Sequence, residues 1–330
     1  MTIQKSLELA IQHHQAGRLS EAETIYRGIL SREPTHADAL HLLGAIALQS
    51  GKLDASIELI QRAISVKPAA PNYLSNLGKA LREKGQFDES IAACGRAIAL
   101  KPDFFEAHNN LGCALLSKGE IDAAIAAYQE AVRLKPSSAE AHCNLSNALQ
   151  AKGLLDESKM VLRQALRLDP NCTMAHWNLA LNLLLQGDFA NGWPEYEWRW
   201  RWEGFPSPRR KFLKPMWDGR DLNGRAILLH AEQGFGDAIQ FVRYAPLVTE
   251  RGGRVIIVCQ TELARLLRFN ASLGQIVSGN EVLPSFDFHC PLASLPMVFG
   301  TRMESIPALV PYLNSDPILV DSWRKRLKTA

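Results

Sequence analysis

Glycines stand at 17, 51, 85, 119, 153 and 187, each 34 residues after the last, and prolines at 34, 68, 102, 136 and 170 keep the same interval. A fixed period of this length marks a repeat architecture, in which each copy is one supersecondary unit stacked on the next. A second series, Gly44, Gly78, Gly112, Ser146 and Ala180, is small throughout. Six copies fit, beginning near Ile3, Ala37, Pro71, Phe105, Ala139 and Thr173.

The pattern within a copy predicts two helices. From Ala37, residues Leu40, Leu43, Ile46 and Ala47 give the first helix one apolar face. Gly51 supplies the left-handed residue that ends it. Asp54 is placed to cap the second helix, as are Ser20, Asp88, Asp122 and Asp156 elsewhere. Ile57, Ile60, Ala63 and Ile64 form that helix's apolar face, and Pro68 stops it. The small residues at 44, 78, 112, 146 and 180 let paired helices approach closely. One hairpin cannot bury its own apolar face, so the copies are expected to stack around a shared core.

In Leu111, Gly112, Gly119, Ala124, Tyr128 and Pro136 the chain resembles the tetratricopeptide repeat (TPR) family. The resemblance covers residues 3–204 and implies an α-solenoid, a TPR superhelix of about six 34-residue repeats, with a protein or peptide ligand in its groove. The sixth copy departs from the pattern: no proline closes it, and WPEYEWRWRWEGF replaces the second helix.

Asn76, Asn110, Asn144 and Asn178 also recur every 34 residues, each just before the core leucine of its first helix. One helical step is about 100°, so each points away from the buried leucine. An amide donates and accepts, which suits gripping the backbone of an extended peptide. Equally, Asn-Leu-Gly is common usage on a wet helix face, and the two readings stand side by side. The first two copies carry Glu8 and Leu42 there. The ladder makes the array similar to the repeat superhelix of O-GlcNAc transferases, where such asparagines hold protein substrates. His108, His142 and His176 form another series. Equivalent residues of stacked helices lie roughly 8–10 Å apart, whereas zinc holds nitrogens at about 2 Å, so packing roles and no metal are expected.

Five of seven tryptophans fall at 193, 198, 200, 202 and 217, interleaved with Arg199, Arg201, Arg209, Arg210 and Lys211. Stacking on a base or sugar, or docking on a membrane surface, would use such a cluster. An end-cap covering the last repeat is the favoured reading, and Pro206, Pro208 and Pro215 make 205–223 a connector. Lys plus Arg total 37 against 34 Asp plus Glu, a net charge of +3, which argues against a nucleic-acid partner. No apolar run is long enough to span a membrane, and the N-terminus lacks a signal peptide's apolar core. Six cysteines form no C-x-x-C pair, which disfavours a zinc ribbon or disulfide framework and points to the cytoplasm.

Beyond Arg225, short apolar runs at 226–230, 254–259, 275–278 and 286–290 alternate with helical stretches at 238–250 and 261–269. That alternation predicts a parallel sheet with helices on its faces. Ligands of such sheets bind beyond the strands' carboxyl ends, where Gly234-Phe235-Gly236-Asp237 lies. This glycine loop is not a dinucleotide fingerprint, since Ile239 replaces the third glycine and no acidic residue ends the second strand. It suits an anion or sugar hydroxyl at a helix N-terminus, or a tight turn with Asp237 as cap.

Gly-Phe-Gly-Asp-Ala-Ile with Pro246 resembles the first strand-loop-helix of heptosyltransferase-like glycosyltransferases. The string from His230 to Pro311, including FDFHCPLASLP, resembles the domain following TPR arrays in bacterial O-linked glycosyltransferases. The resemblance implies a Rossmann-like three-layer half-domain over 224–316, the N-terminal half of a GT-B fold. It also implies a catalytic-base role for Asp237 toward an acceptor hydroxyl. The 107 residues from Gly224 suffice for one half only, and 317–330 resembles a truncated helical hinge. Two functions follow as expectations. The first is a protein-binding scaffold with an incomplete, non-catalytic transferase domain and no cofactor. The second is the acceptor-binding part of a nucleotide-sugar-dependent O-glycosyltransferase whose donor-binding half is supplied in trans.

Overall fold

The structure, a computed structural model, describes residues 1–202, 205, 207 and 210–329; Pro206, Pro208 and Arg209 of the junction lie outside the described residues. Two compact units are present, Met1–Asn178 and Leu179–Ala330.

The first unit is a helical solenoid. Its hairpins pair α1 (Ile3–Gln15) with α2 (Leu19–Arg32), α3 (Ala37–Gln49) with α4 (Leu53–Val66), and α5 (Pro71–Glu83) with α6 (Phe87–Leu100). They continue as α7 (Phe105–Lys118) with α8 (Ile121–Leu134) and α9 (Ala139–Ala151) with α10 (Leu155–Leu168), and α11 (Thr173–Leu185) crosses the unit boundary. The six turn glycines at 17, 51, 85, 119, 153 and 187 all have φ between 71° and 88°, the left-handed region that other residues avoid. The small residues of the first helices mark the contact lines. A Cβ on Gly44 would stand 2.7 Å from Ile60 Cγ1, and one on Gly112 would stand 2.6 Å from the Tyr128 ring. Across the same lines Ser90 Oγ donates to the Gly78 carbonyl (2.6 Å) and Ser158 Oγ to that of Ser146 (3.1 Å).

The expected aspartate caps are not caps. The second helices begin two residues after the turn glycine, so Lys52, Gln86, Glu120 and Leu154 take the cap position without a side-chain bond. Arg18 does the same before α2, and Ser20 lies inside that helix. The aspartates fall in the first turn, where a negative charge meets the helix dipole favourably. Three of them pair with the next copy: Lys84–Asp54 at 2.6 Å, Lys118–Asp88 at 2.8 Å and Lys152–Asp122 at 2.6 Å. Asp156 pairs within its own helix with Lys159. Exposed pairs of this kind contribute little individually.

The second unit adds α12 (Phe189–Tyr196), capped by Asp188 through the Asn191 amide, and a 3-10 turn over Glu197–Arg201. Its sheet consists of β1 (Ala226–His230), β2 (Arg254–Cys259), β3 (Gln275–Ser278) and β4 (Phe288–Pro291), all parallel in the order β3-β2-β1-β4. Helices α13 (Phe235–Phe241) and α14 (Ala245–Glu250) lead from β1 to β2, and α15 (Thr261–Arg268) leads to β3. After β4 come α16 (Leu295–Val298) and α17 (Pro317–Thr329). The single helix expected over 238–250 begins at Phe235 and is interrupted by a 3-10 turn at Val242–Tyr244. Pro246, in the first turn of α14, has no N–H with which to continue the earlier ladder.

One group of sheet residues (Ala226, Leu228, Ile256, Val258 and Val277) packs under Phe212, Leu283 and Phe286, which come from irregular chain. Part of the expected connector also joins the sheet. Trp217 N donates to the His289 carbonyl (2.8 Å) and His289 N to that of Pro215 (3.2 Å), so Pro215–Trp217 runs beside β4. Trp217 is buried, its indole donating to the Arg220 carbonyl at 2.8 Å. Among the described residues no helix is long and apolar enough to cross a membrane.

Candidate functional site

Asn76, Asn110 and Asn144 are half-buried at equivalent positions of α5, α7 and α9. Asn76 Nδ2 lies 2.8 Å from His41 Nε2. Asn110 Nδ2 donates to Ser75 Oγ (2.9 Å) and to the Ser75 carbonyl (3.3 Å). Asn144 Nδ2 donates to Asn109 Oδ1 at 3.0 Å. The partner is always 35 residues earlier, on the first helix of the preceding hairpin. Each amide is thus held with its donor against the neighbouring repeat, which leaves Oδ1 as the acceptor to offer a ligand.

Asn178 differs. It is buried and its Nδ2 has no hydrogen-bond partner. The residue 35 positions earlier is Cys143, whose thiol contacts Cys172 Sγ at 3.9 Å, and sulfur is a weak acceptor. The series His41, Ser75, Asn109 and Cys143 is therefore the ladder's counterpart. The sequence hides it, because the first three share only the ability to accept a hydrogen bond.

His41 stacks on Tyr73 with ring centroids 4.2 Å apart, and the Tyr73 hydroxyl bonds Asp38. Burial lowers the His41 pKa to about 4, so the ring is neutral. It accepts from Asn76 through Nε2, which places the proton on Nδ1. The histidines at 108, 142 and 176 tie their first helices to the residues before them. His108 and His176 bond the carbonyls of Pro102 (2.8 Å) and Pro170 (3.0 Å) through Nε2, and His142 Nδ1 bonds that of Ser138 (2.9 Å).

In the second unit the chain leaves β1 at its carboxyl end and passes through Gln233 to the glycine loop. Gln233 Nε2 donates to the Tyr196 hydroxyl (2.6 Å), and the Gln233 carbonyl accepts from Gln260 Nε2 (2.7 Å), fixing the loop to α12 and to the end of β2. Gly234, with φ −65°, is the N-cap of α13, and Asp237 is that helix's third residue rather than its cap. A Cβ on Gly234 would stand 3.6 Å from Asp237 Oδ2, while one on Gly236 would meet nothing within 4 Å.

The aromatic junction surrounds a cation already engaged by the protein. Arg199 is fully buried between the rings of Tyr196 (4.7 Å) and Trp200 (4.5 Å). Its Nε and Nη2 reach Glu232 Oε1 at 3.0 and 2.8 Å, and Nη2 also donates to Ser294 Oγ at 2.7 Å. Nη1 donates to Glu197 Oε1 (2.6 Å) and to the Tyr196 carbonyl (3.2 Å). Trp193 packs against Phe189, Tyr196 and Phe241. Arg199 therefore joins the stretch after α12 to the segments following β1 and β4. Burial pushes the Glu232 carboxyl up to about 7, against the pull of Arg199.

One tetratricopeptide-repeat family model matches residues 75–139 and a second matches 13–80 and 115–182, together a little over half of the chain. The chain belongs to the tetratricopeptide-repeat family. Protein FlbA of Caulobacter vibrioides is 25% identical in an alignment 167 positions long that covers 45% of this chain and 28% of FlbA. The TPR chain thus matches little more than a quarter of that relative's length. PilF of Pseudomonas aeruginosa is similar in structure at a TM-score of 0.53 and 16% identity, over 61% of this chain and 92% of that one. A chain of the APC/C hetero-tetramer Cut9-Hcn1 gives 0.56 at 19% identity, over 60% and 39% respectively. Both likenesses are to the stacked helical hairpins of the TPR fold.

Proposed function

We propose that this protein is a scaffold that binds an extended protein segment along its TPR solenoid, with the Oδ1 atoms of Asn76, Asn110 and Asn144 accepting from the ligand's backbone N–H groups. The observation that carries this reading is the common orientation of three amides, each held by a donor bond to the preceding repeat. Asn178 continues the register as a buried amide. In this reading residues 3–204 form the binding arm, 205–223 lead on from it, 224–316 form an appended α/β half-domain and 317–330 a terminal hinge. The cytoplasm is the proposed setting, supported by six free thiols. For a peptide selected from a random library on the full chain, N110A/N144A should weaken binding about thirtyfold, from two hydrogen bonds of about 1 kcal/mol each. Unchanged affinity with an unchanged melting temperature would remove the asparagines from the ligand site.

A second reading is favoured by the parallel sheet and its Gly234–Asp237 loop. On this view the chain is the acceptor-binding part of a nucleotide-sugar-dependent protein O-glycosyltransferase, completed by a GT-B donor-binding half in trans. Asp237, in the first turn of α13 after the loop that follows β1, would take the acceptor hydroxyl's proton as the sugar is transferred. In an enzyme assembled with that second half, D237N should abolish transfer while leaving acceptor binding intact. Turnover near the wild-type rate would reduce Asp237 to a first-turn carboxylate serving the helix dipole.

A further inference from the structure

In the sheet order β3-β2-β1-β4, the chain builds outward from β1 on one side and then crosses to the other, so the order reverses between β1 and β4. Open parallel sheets bind ligands at such a point, in the crevice beyond the strands' carboxyl ends. A cavity of about 360 Å³ lies there, a volume in the range of small-ligand sites. His230 and Glu232 line it from the end of β1, His289 from β4, and Trp200, Arg210 and Lys211 from the chain before the sheet.

Three polar atoms of these lining residues, His230 Nε2, Glu232 Oε2 and His289 Nδ1, are buried without a hydrogen-bond partner. Groups left in that condition cost about 1–3 kcal/mol each, and all three belong to residues that line this one cavity. Glu232 cannot turn to solvent, because Arg199 holds its other oxygen and its side chain is only 3% exposed. His230, 4% exposed, lies with its ring centroid 5.6 Å from that of His289. Burial lowers the pKa of both rings, at His289 against a hydrogen bond with the Lys214 backbone, so each ring is neutral at pH 7 and keeps one unpartnered nitrogen. Arg210 and Lys211 are exposed and have no acidic partner among the described residues. The wall therefore combines hydrogen-bonding groups in its depth with uncompensated positive charge nearer solvent.

We propose that this cavity binds a small polyhydroxylated anion, a phosphorylated or carboxylated sugar, with hydroxyls toward His230, Glu232 and His289 and the acidic group toward Arg210 and Lys211. Trp200 supplies an apolar wall for the C–H face of the ring. The site belongs to the α/β unit alone and requires neither peptide binding nor sugar transfer. Isothermal titration of the full chain tests it, with glucose 6-phosphate and glucuronate as probes and glucose and inorganic phosphate as the separated parts. At least one anionic sugar should bind saturably and at least tenfold more tightly than either part. R210A/K211A, at two exposed positions, and H289Q, which keeps a polar group, should each weaken it at least tenfold with circular dichroism unchanged. The proposal fails if neither anionic sugar saturates, if inorganic phosphate binds as tightly as they do, or if both variants bind as the wild type does.

Discussion

A histidine buried beside a tyrosine gives the first unit a pH response whose sign is fixed. His41 has a folded pKa of about 4 against 6.5 for an unperturbed ring. Between those values the unfolded chain binds a proton that the fold excludes, so stability is complete above pH 6.5 and declines as pH falls toward 4. The contribution of this one group between pH 7 and 4.5 is about 2 kcal/mol. H41F keeps the stack on Tyr73, and in urea unfolding it should shrink the stability difference between those two pH values by about that amount. An unaltered difference would place the response elsewhere. The same residue shows what was legible at this scale. Asparagines repeating every 34 positions are visible as letters. Their partners at 41, 75 and 109 are not, because His, Ser and Asn share no letter and a hydrogen-bond acceptor is not a residue type.

Helices and turns were the most legible level, because glycine and proline punctuate them with steric rules that tolerate few exceptions. Each first helix begins at the residue its 34-residue phase predicts, and each turn glycine is left-handed. The caps were misplaced because the glycine turn, rather than the aspartate's preference for a cap, decides where the second helix starts. Two glycines separate packing from conformation. In Gly112 a Cβ would strike the Tyr128 ring, whereas in Gly95, within α6, it would meet nothing within 4 Å. G112A should cost about 1–3 kcal/mol through overpacking, and G95A should add about 0.5–1 kcal/mol through helix propensity. Denaturant midpoints moving in opposite directions would establish the distinction; a shared direction would show that the hairpin adjusts to a methyl group at 112.

At the scale of the whole chain, period and alternation separate a repeat array from an α/β unit, but neither pattern contains strand order. The β1–β4 neighbourhood and the cavity beyond it follow from β4 crossing to the far side of β1, a tertiary choice that local hydrophobic pattern does not encode. The proline content of 205–223 reads as linker, and within it Pro215–Trp217 lies beside β4 through one parallel bridge, with Trp217 buried. The asparagine bonds of the array have a different kind of consequence. Because each reaches back 35 positions, excising the 34-residue block 71–104 sets Asn110 against His41, and excising 105–138 sets Asn144 against Ser75, so an acceptor again faces the amide across the new joint. An insertion of any other size within the linked span breaks the alignment. Such an array can lengthen or shorten during evolution only in whole quanta, and its reach along a partner changes by the same discrete steps.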